Sequence, residues 1–305
     1  MTDLSFIIPF YKGEMFIENA VSSIIKAYSF SNFNKELVIE MVVVVDSVET
    51  DTLKLTDILF SIIKNKFKLT VHRNLLNEGV AKSRNTGIGI AQGEFILCLD
   101  QDDAITVDFF KVLIHREFGN YDFIICNGIF QFHQPVYDIK IYYIKPRVTL
   151  KNLILYDIIR SPGQVVVKKA MLEKCPFPSP QKYFGADDKF CWISLFGTFS
   201  PKVLYIDETV YIGNMHASNF SNDHKQLYYC VLELWEQFIK QGKLSKPMMS
   251  IIQRNIDYCK FQTNTAKEIK SKCFGFYQFL CYHLRPNKLI SFLVKKLSSL
   301  KAYSN

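Results

Sequence analysis

The sequence predicts an α/β protein built on a doubly wound, mostly parallel sheet flanked by helices, with a helical extension at its C-terminal end. Three observations predict this. Short β-branched apolar runs alternate with longer stretches whose apolar residues recur at helical spacing, giving the order β-α-β-α-β-α-β up to Leu99. The strand-like runs are near-continuous in apolar character, as strands covered on both faces require. From about residue 226 onward the strand signals stop and the chain reads as helices.

Residues 4–8 read as the first strand. In 14–27, Phe16, Ala20, Ile24 and Ala27 share one helical face. The run 38–45 is the second strand, and 52–64 a helix whose stripe is Leu55, Ile58, Leu59, Ile62 and Ile63. A third strand over 67–72, a helix over 80–91 and a fourth strand over 94–99 complete the winding. Beyond Asp103 the pattern is less regular, with strands expected at 121–126, 164–167 and 203–206 and a helix over 186–196 that opens on Asp187-Asp188. The prolines at 176, 178 and 180 exclude helix there. Helices are expected at 226–242, 246–262, 273–284 and 287–300. The chain therefore divides into a domain over 1–220 and an extension over 221–305.

A chain of 305 residues, 49% of them hydrophobic, can bury a large core. Its eight cysteines form no C-x-x-C pair and mostly lie in apolar runs, which fits buried free thiols in a reducing compartment rather than zinc ligands or disulfides. Signal-peptide character is absent from the first residues, and no stretch has the length of a membrane span. A cytoplasmic protein is the expectation. The net charge of +8 is unevenly placed: residues 221–305 hold 14 Lys and Arg against 5 Asp and Glu, while the rest is nearly neutral. An anionic partner for the extension follows from that asymmetry.

In doubly wound sheets ligands bind at the carboxyl ends of the strands. Pro9-Phe10-Tyr11, Asp46 and Asp100-Gln101-Asp102-Asp103 all fall at such ends, so three strands point polar or aromatic groups at one crevice. Three carboxylates in four residues repel one another and resist desolvation, and a hard divalent cation offsets that cost. The same run also suits a polar turn capping a helix that starts near Thr106, with Asp103 as the cap. An EF-hand calcium loop is excluded, because the required Gly and distal Glu are missing.

The motif set as a whole resembles glycosyltransferase family 2. It comprises Phe6-Ile7-Ile8-Pro9-Phe10-Tyr11, Val43-Val44-Val45-Asp46, Asn77-Glu78-Gly79-Val80-Ala81-Lys82-Ser83-Arg84-Asn85-Thr86-Gly87, Gly93-Glu94-Phe95, Leu99-Asp100-Gln101-Asp102-Asp103, Asp187-Asp188 and His216. The resemblance implies a GT-A fold and an inverting transfer of sugar from a nucleotide donor, a UDP-sugar, to a hydroxyl of a cell-surface glycan or lipid-linked acceptor. It implies Asp102 as ligand of a divalent metal, Mn²⁺ or Mg²⁺, with His216 reaching the metal or the diphosphate. By the same resemblance Asp100 lies near the ribose, Asp46 against the base or ribose, Arg84 at the nucleotide site, Asp188 is the general base and Asp187 an acceptor contact. Where the family often continues Asp46 with Asp, Gly and Ser, this chain has Ser47-Val48-Glu49. Asp187 stands where the family usually has Glu.

The residues themselves leave other readings open. Asp46 suits a helix dipole, Asp187-Asp188 suits a helix N-terminus, and Arg84 is a planar fork for a phosphate or a nearby carboxylate. Asn85 and Gly87 suit close helix packing. A sugar nucleotidyltransferase would use a similar sheet, but its Gly-rich basic loop is reduced here to Lys12 and Gly13. A non-catalytic nucleotide-sugar-binding or scaffold protein would share the fold. No nucleic-acid module is present. In the extension, the aromatic run 274–282 and the basic run 288–301 suit either a helix lying on an anionic membrane, at the inner face of the plasma membrane, or a cap packed on the first domain.

Overall fold

The computed structural model describes residues 3–31, 37–64, 66–133, 136–180, 182–216, 223–240, 246–265 and 272–273. The chain opens with β1 (Leu4–Phe10), α1 (Ile17–Phe30), β2 (Ile39–Val45), α2 (Thr52–Ile63), β3 (Lys68–Arg73), α3 (Val80–Ile90) and β4 (Phe95–Cys98). These are the seven elements the periodicity predicts, each within a few residues. β1, β2 and β4 are buried along their whole length, which is why they read as unbroken apolar runs.

β1 pairs in parallel with β2 on one side and with β4 on the other, and β2 pairs in parallel with β3. The winding thus runs outward from β1 to β3 and then crosses back over α3 to β4. The reversal lies between β1 and β4, and there the ends of neighbouring strands diverge into a crevice. α3 packs close because Gly87 lets the helix rest on Ile7, where a Cβ would lie 2.4 Å from the Ile7 side chain. Gly93 approaches Ser5 just as closely and donates to the Ser5 hydroxyl at 2.9 Å.

Beyond β4 the sheet becomes mixed. β5 (Ala104–Ile105), α4 (Phe109–His115), β6 (Phe123–His133), β7 (Val136–Lys140), α5 (Leu150–Leu155), β8 (Val165–Lys168), α6 (Lys169–Lys174), α7 (Asp187–Thr198) and β9 (Val203–Met215) follow. The strand order is β3-β2-β1-β4-β8-β6-β9-β5, with β7 on β6. β8 is antiparallel to both β4 and β6, whereas the long β6–β9 ladder is parallel. Parallel ladders carry most of the pairing, but the winding stops being purely parallel at β4. The helix expected near Thr106 starts later: Ala104 and Ile105 pair with β9 first, and α4 begins at Phe109.

α8 (His224–Lys240) and α9 (Lys246–Gln262) are the described part of the extension. They pack on α7: the Trp235 ring lies 4.6 Å from Phe190, and its indole N–H donates to Asn255 Oδ1 at 2.7 Å. The runs 274–282 and 288–301, with the last two expected helices, lie outside the described residues. Cys98, Cys126, Cys175, Cys191, Cys230 and Cys259 are buried free thiols, as expected, and Cys273 is exposed. Among the described residues no helix is long and apolar enough to cross a membrane.

Candidate active site

The loops that follow β1 and β4 are tied to each other. Gln101 Oε1 accepts from the Tyr11 backbone N–H at 2.9 Å, and Gln101 Nε2 donates to the Tyr11 carbonyl at 3.1 Å. This reciprocal pair satisfies a backbone donor and acceptor that the strand ends would otherwise leave open. Gly13 makes room for it, since a Cβ there would lie 2.2 Å from the Gln101 amide. Of the three residues expected to face a ligand at the end of β1, Tyr11 is exposed, at 46%. Pro9 and Phe10, by contrast, are both buried strand residues, paired with Val44 and Val45 of β2.

Asp102 and His216 meet across the crevice. Asp102 Oδ2 lies 2.9 Å from His216 Nε2, and the imidazole stacks on the Phe16 ring at 4.7 Å. The Asn214 amide holds the Asp102 carbonyl at 2.6 Å. Burial, and then the neighbouring Asp100, push the Asp102 carboxyl up, while His216 opposes the shift. At that separation the carboxylate oxygen and the imidazole nitrogen could both face one divalent ion. The chemistry of the pair, one carboxylate oxygen and one imidazole, suits Mn²⁺ or Mg²⁺ with further oxygens from a phosphate. Among the described residues no larger set of His, Cys, Asp and Glu gathers as a metal site.

Asp103 does not cap a helix. Its carboxylate turns inward, where it accepts from the Tyr211 hydroxyl, from the Asn214 backbone N–H at 3.1 Å and from the Ser161 hydroxyl at 3.4 Å. Burial and the flanking Asp100 and Asp102 raise its pKa well above the carboxylate range. Asp103 therefore anchors the carboxylate loop to β9.

Asp46, at the end of β2, is 4% exposed and has both oxygens engaged. Oδ1 accepts from Asn74 Nδ2 at 2.7 Å and Glu78 N at 2.9 Å, and Oδ2 from Gly79 N at 2.7 Å. These donors lie directly before α3, so the acid meets the positive end of that helix dipole. The next helix in sequence, α2, is capped instead by Asp51, which accepts from Lys54 N at 3.1 Å.

Arg84 on α3 is 4% exposed and bridges two carboxylates. Nη1 reaches Asp187 Oδ2 and Nη2 reaches Asp100 Oδ1, each at 2.6 Å. Its guanidinium carbon also lies 5.4 Å from the centre of the Phe177 ring. Asp187 is 3% exposed and turned toward Arg84, not toward the crevice. Asp188, the next residue, is partly buried, and its Oδ1 accepts from Lys189 N at 2.7 Å. Burial first and Asp187 second push its pKa up to about 7, with Arg84 pulling the other way.

The segment before α7 is held from the extension. Cys230 donates to the Gly185 carbonyl at 2.7 Å, and Glu233 accepts from Lys182 N at 3.1 Å. Gln101, Asn214, Tyr211 and Glu233 are residues that sequence reasoning missed. Gln101 stands between the two acids of the motif, and that position was the one available signal. The other three act on partners distant in the chain.

The model of the family described as Glycosyl transferase family 2 matches residues 5–171. The chain belongs to glycosyltransferase family 2. The chain is 26% identical over 181 residues to EpsH of Bacillus subtilis (strain 168), with 56% of this chain matched. The chain spans about half the length of that curated relative, 52%. S. aureus TarS 1–349 in complex with UDP-GlcNAc superposes with a TM-score of 0.64 at 19% identity, over 91% of this chain and 79% of that one. Mannosyltransferase PcManGT from Pyrobaculum calidifontis, in complex with GDP-Man and Mn²⁺, gives 0.56 at 16% identity, over 96% and 86%. The fold of this family 2 glycosyltransferase is GT-A, as in TarS.

Proposed function

We propose that the chain is an inverting, metal-assisted glycosyltransferase that moves a sugar from a UDP-sugar to a hydroxyl of a cell-surface glycan or lipid-linked acceptor. The observation that carries this reading is the Asp102–His216 pair at the switch point of the sheet, 2.9 Å apart. Support for the donor comes from the neighbours, whose solved complexes hold UDP-GlcNAc or GDP-Man, the latter with Mn²⁺. The basic extension supports an acceptor presented at the inner face of the plasma membrane.

In this reading Asp102 and His216 hold the ion, Asp100 meets the ribose, and Tyr11 lines the donor side of the crevice. A bound Mn²⁺ or Mg²⁺ supplies positive charge where the leaving diphosphate becomes more negative. Asp188 takes the proton from the acceptor hydroxyl as its oxygen attacks C1 of the sugar from the face opposite the nucleotide. The C1–O bond to the diphosphate breaks, and the configuration at C1 inverts. A pKa near 7 suits that task, because the carboxylate is a stronger base than an ordinary Asp and a substantial fraction of it is ionised near neutral pH. Asp46 supports the site as the clamp of the 74–79 loop.

The test is nucleotide release by purified protein with Mn²⁺ or Mg²⁺ and a panel of UDP- and GDP-sugars. Asp102→Ala and Asp188→Ala are each expected to abolish transfer while circular dichroism shows an intact fold. A folded Asp188→Ala that retains most activity overturns the base assignment. Metal-dependent UDP binding without any turnover across the panel supports a non-catalytic binding protein of the same fold instead.

A further inference from the structure

The guanidinium of Arg84 joins the two halves of the site from inside the protein. One nitrogen holds Asp100, in the loop that carries Asp102, and the other holds Asp187, beside Asp188. Its Nε is buried and has no hydrogen-bond partner among the described residues. Leaving a charged donor unpaired costs free energy, so the fork is oriented by its two carboxylates and not by full satisfaction of its donors. The neighbouring Asn85 makes a second tie in the same direction. Its amide donates to the Phe177 carbonyl at 2.8 Å and accepts from Phe177 N at 2.9 Å. The Phe177 ring packs edge-on against Trp192 of α7, 5.7 Å away. Two successive residues of α3 therefore grip the segment and helix that present Asp188.

We propose that Arg84 is a positioning residue, a rigid strut that sets the distance between the donor loop at Asp100–Asp102 and the base helix at Asp187–Asp188, and that it does not bind the diphosphate. The inference rests on the reading of Asp188 as base and of the Asp102 loop as donor site. A Lys in its place would keep one positive charge but could not grip both carboxylates in a plane. The consequence is a change in catalysis at nearly unchanged donor capture: small misplacements of reacting groups lower turnover steeply, while the loop carrying Asp100 and Asp102 stays held by the Gln101–Tyr11 pair and by Asp103 on β9.

The groups that face Asp188 are Asp187, Lys189 and Cys191 on its own helix, Arg84 on α3, Asp157 in the segment after α5 and Cys230 on α8. Arg84→Lys retains the cation among them, so the acid limb of the kcat–pH profile is expected to stay where it is in the wild type. Asp187→Asn removes an anion that raises Asp188, so its limb is expected to move to lower pH.

The experiment measures kcat and donor KM for wild type, Arg84→Lys, Asp187→Asn and Asp188→Asn, with Mn²⁺ and the donor selected by the screen above. Arg84→Lys is expected to lower kcat ~10- to 100-fold while donor KM stays within about threefold, the acid limb remains in place, and the protein stays folded. A folded Arg84→Lys with wild-type kcat, or one whose loss lies only in donor KM, overturns the strut and returns Arg84 to the phosphate. If Arg84→Lys does not fold, Asp187→Asn decides by the same split of kcat from donor KM, with its acid limb at lower pH, because it cuts one arm of the strut and leaves Arg84 and Asp100 intact. A fully active Asp188→Asn instead overturns the base reading, and a chain that turns over no nucleotide-sugar loses the functional reading and this role together.

Discussion

Asp102 Oδ2 and His216 Nε2 stand 2.9 Å apart, although 114 residues separate them in the chain. The carboxylate comes from the end of β4 and the imidazole from just past the end of β9. Each is braced by a neighbour: Asn214 on the Asp102 carbonyl and Phe16 on the imidazole face. His216→Ala is expected to weaken UDP binding roughly tenfold or more in the presence of Mn²⁺, by analogy with the loss of groups that orient metal ligands. Binding measured in EDTA is expected to change little. Calorimetry with and without the metal separates the two.

The Gln101–Tyr11 pair makes a prediction that needs no assumption about substrate. Gln101→Ala removes two hydrogen bonds, each worth about 0.5–1.5 kcal/mol net, and frees the loop after β1. Gly13→Ala is expected to do the same by a different route, since its methyl group would push the Gln101 amide out of place. The two variants should show similar falls in thermal midpoint. Their double variant should lose less than the sum, which a thermal-shift series reads directly.

Asp46 predicts a larger effect. Asp46→Ala would take the carboxylate acceptor from the partly buried N–H groups of Glu78 and Gly79 and from the buried amide of Asn74. A buried donor left unsatisfied costs ~1–3 kcal/mol, so the variant is expected to lose several degrees of thermal midpoint and to expose the 74–79 loop to proteolysis. Asp46→Asn, which keeps one acceptor oxygen, should fall between the two. Equal midpoints for Asp46→Ala and wild type would remove the clamp from this account.

How much of this was legible in the sequence follows from the length and covering of each piece. β1, β2 and β4 are buried on both faces and long enough to show as apolar runs, and α1 and α2 carry full stripes such as Leu55, Leu59 and Ile63. β5 has two residues and α5 and α6 six each, too short for any period to declare itself. The ends of β6 and β9 are half-exposed and their register shifts around Asn127, which blurs the alternation. Asp103 illustrates the limit at the site. It sits in a motif that reads as metal ligand or cap, and its partner Tyr211 lies 108 residues away. Arg84 was legible as a fork for phosphate or carboxylate, but only the folded structure brings it two carboxylates, Asp100 from the loop after β4 and Asp187 from the start of α7.

The base helix leads to the last prediction, on pH. Asp188 must be ionised to accept a proton, and its pKa is pushed up to about 7. Activity is therefore expected to rise through an acid limb near pH 7. Stability runs the other way. A carboxyl whose pKa is higher in the folded than in the unfolded state holds more protons when folded, between the ordinary Asp value and about 7. Over that window stability falls as pH rises, and above it the cost is fully present. Asp188→Asn removes the ionisation altogether. It is expected to abolish transfer and yet raise the thermal midpoint at pH 8, with little gain at pH 4, by about 2–4 °C for each kcal/mol recovered. Thermal-shift curves of wild type and Asp188→Asn across pH 4–8 test this. Parallel curves, with no divergence above pH 6, would mean that Asp188 titrates as an ordinary solvated acid and is not tuned as a base.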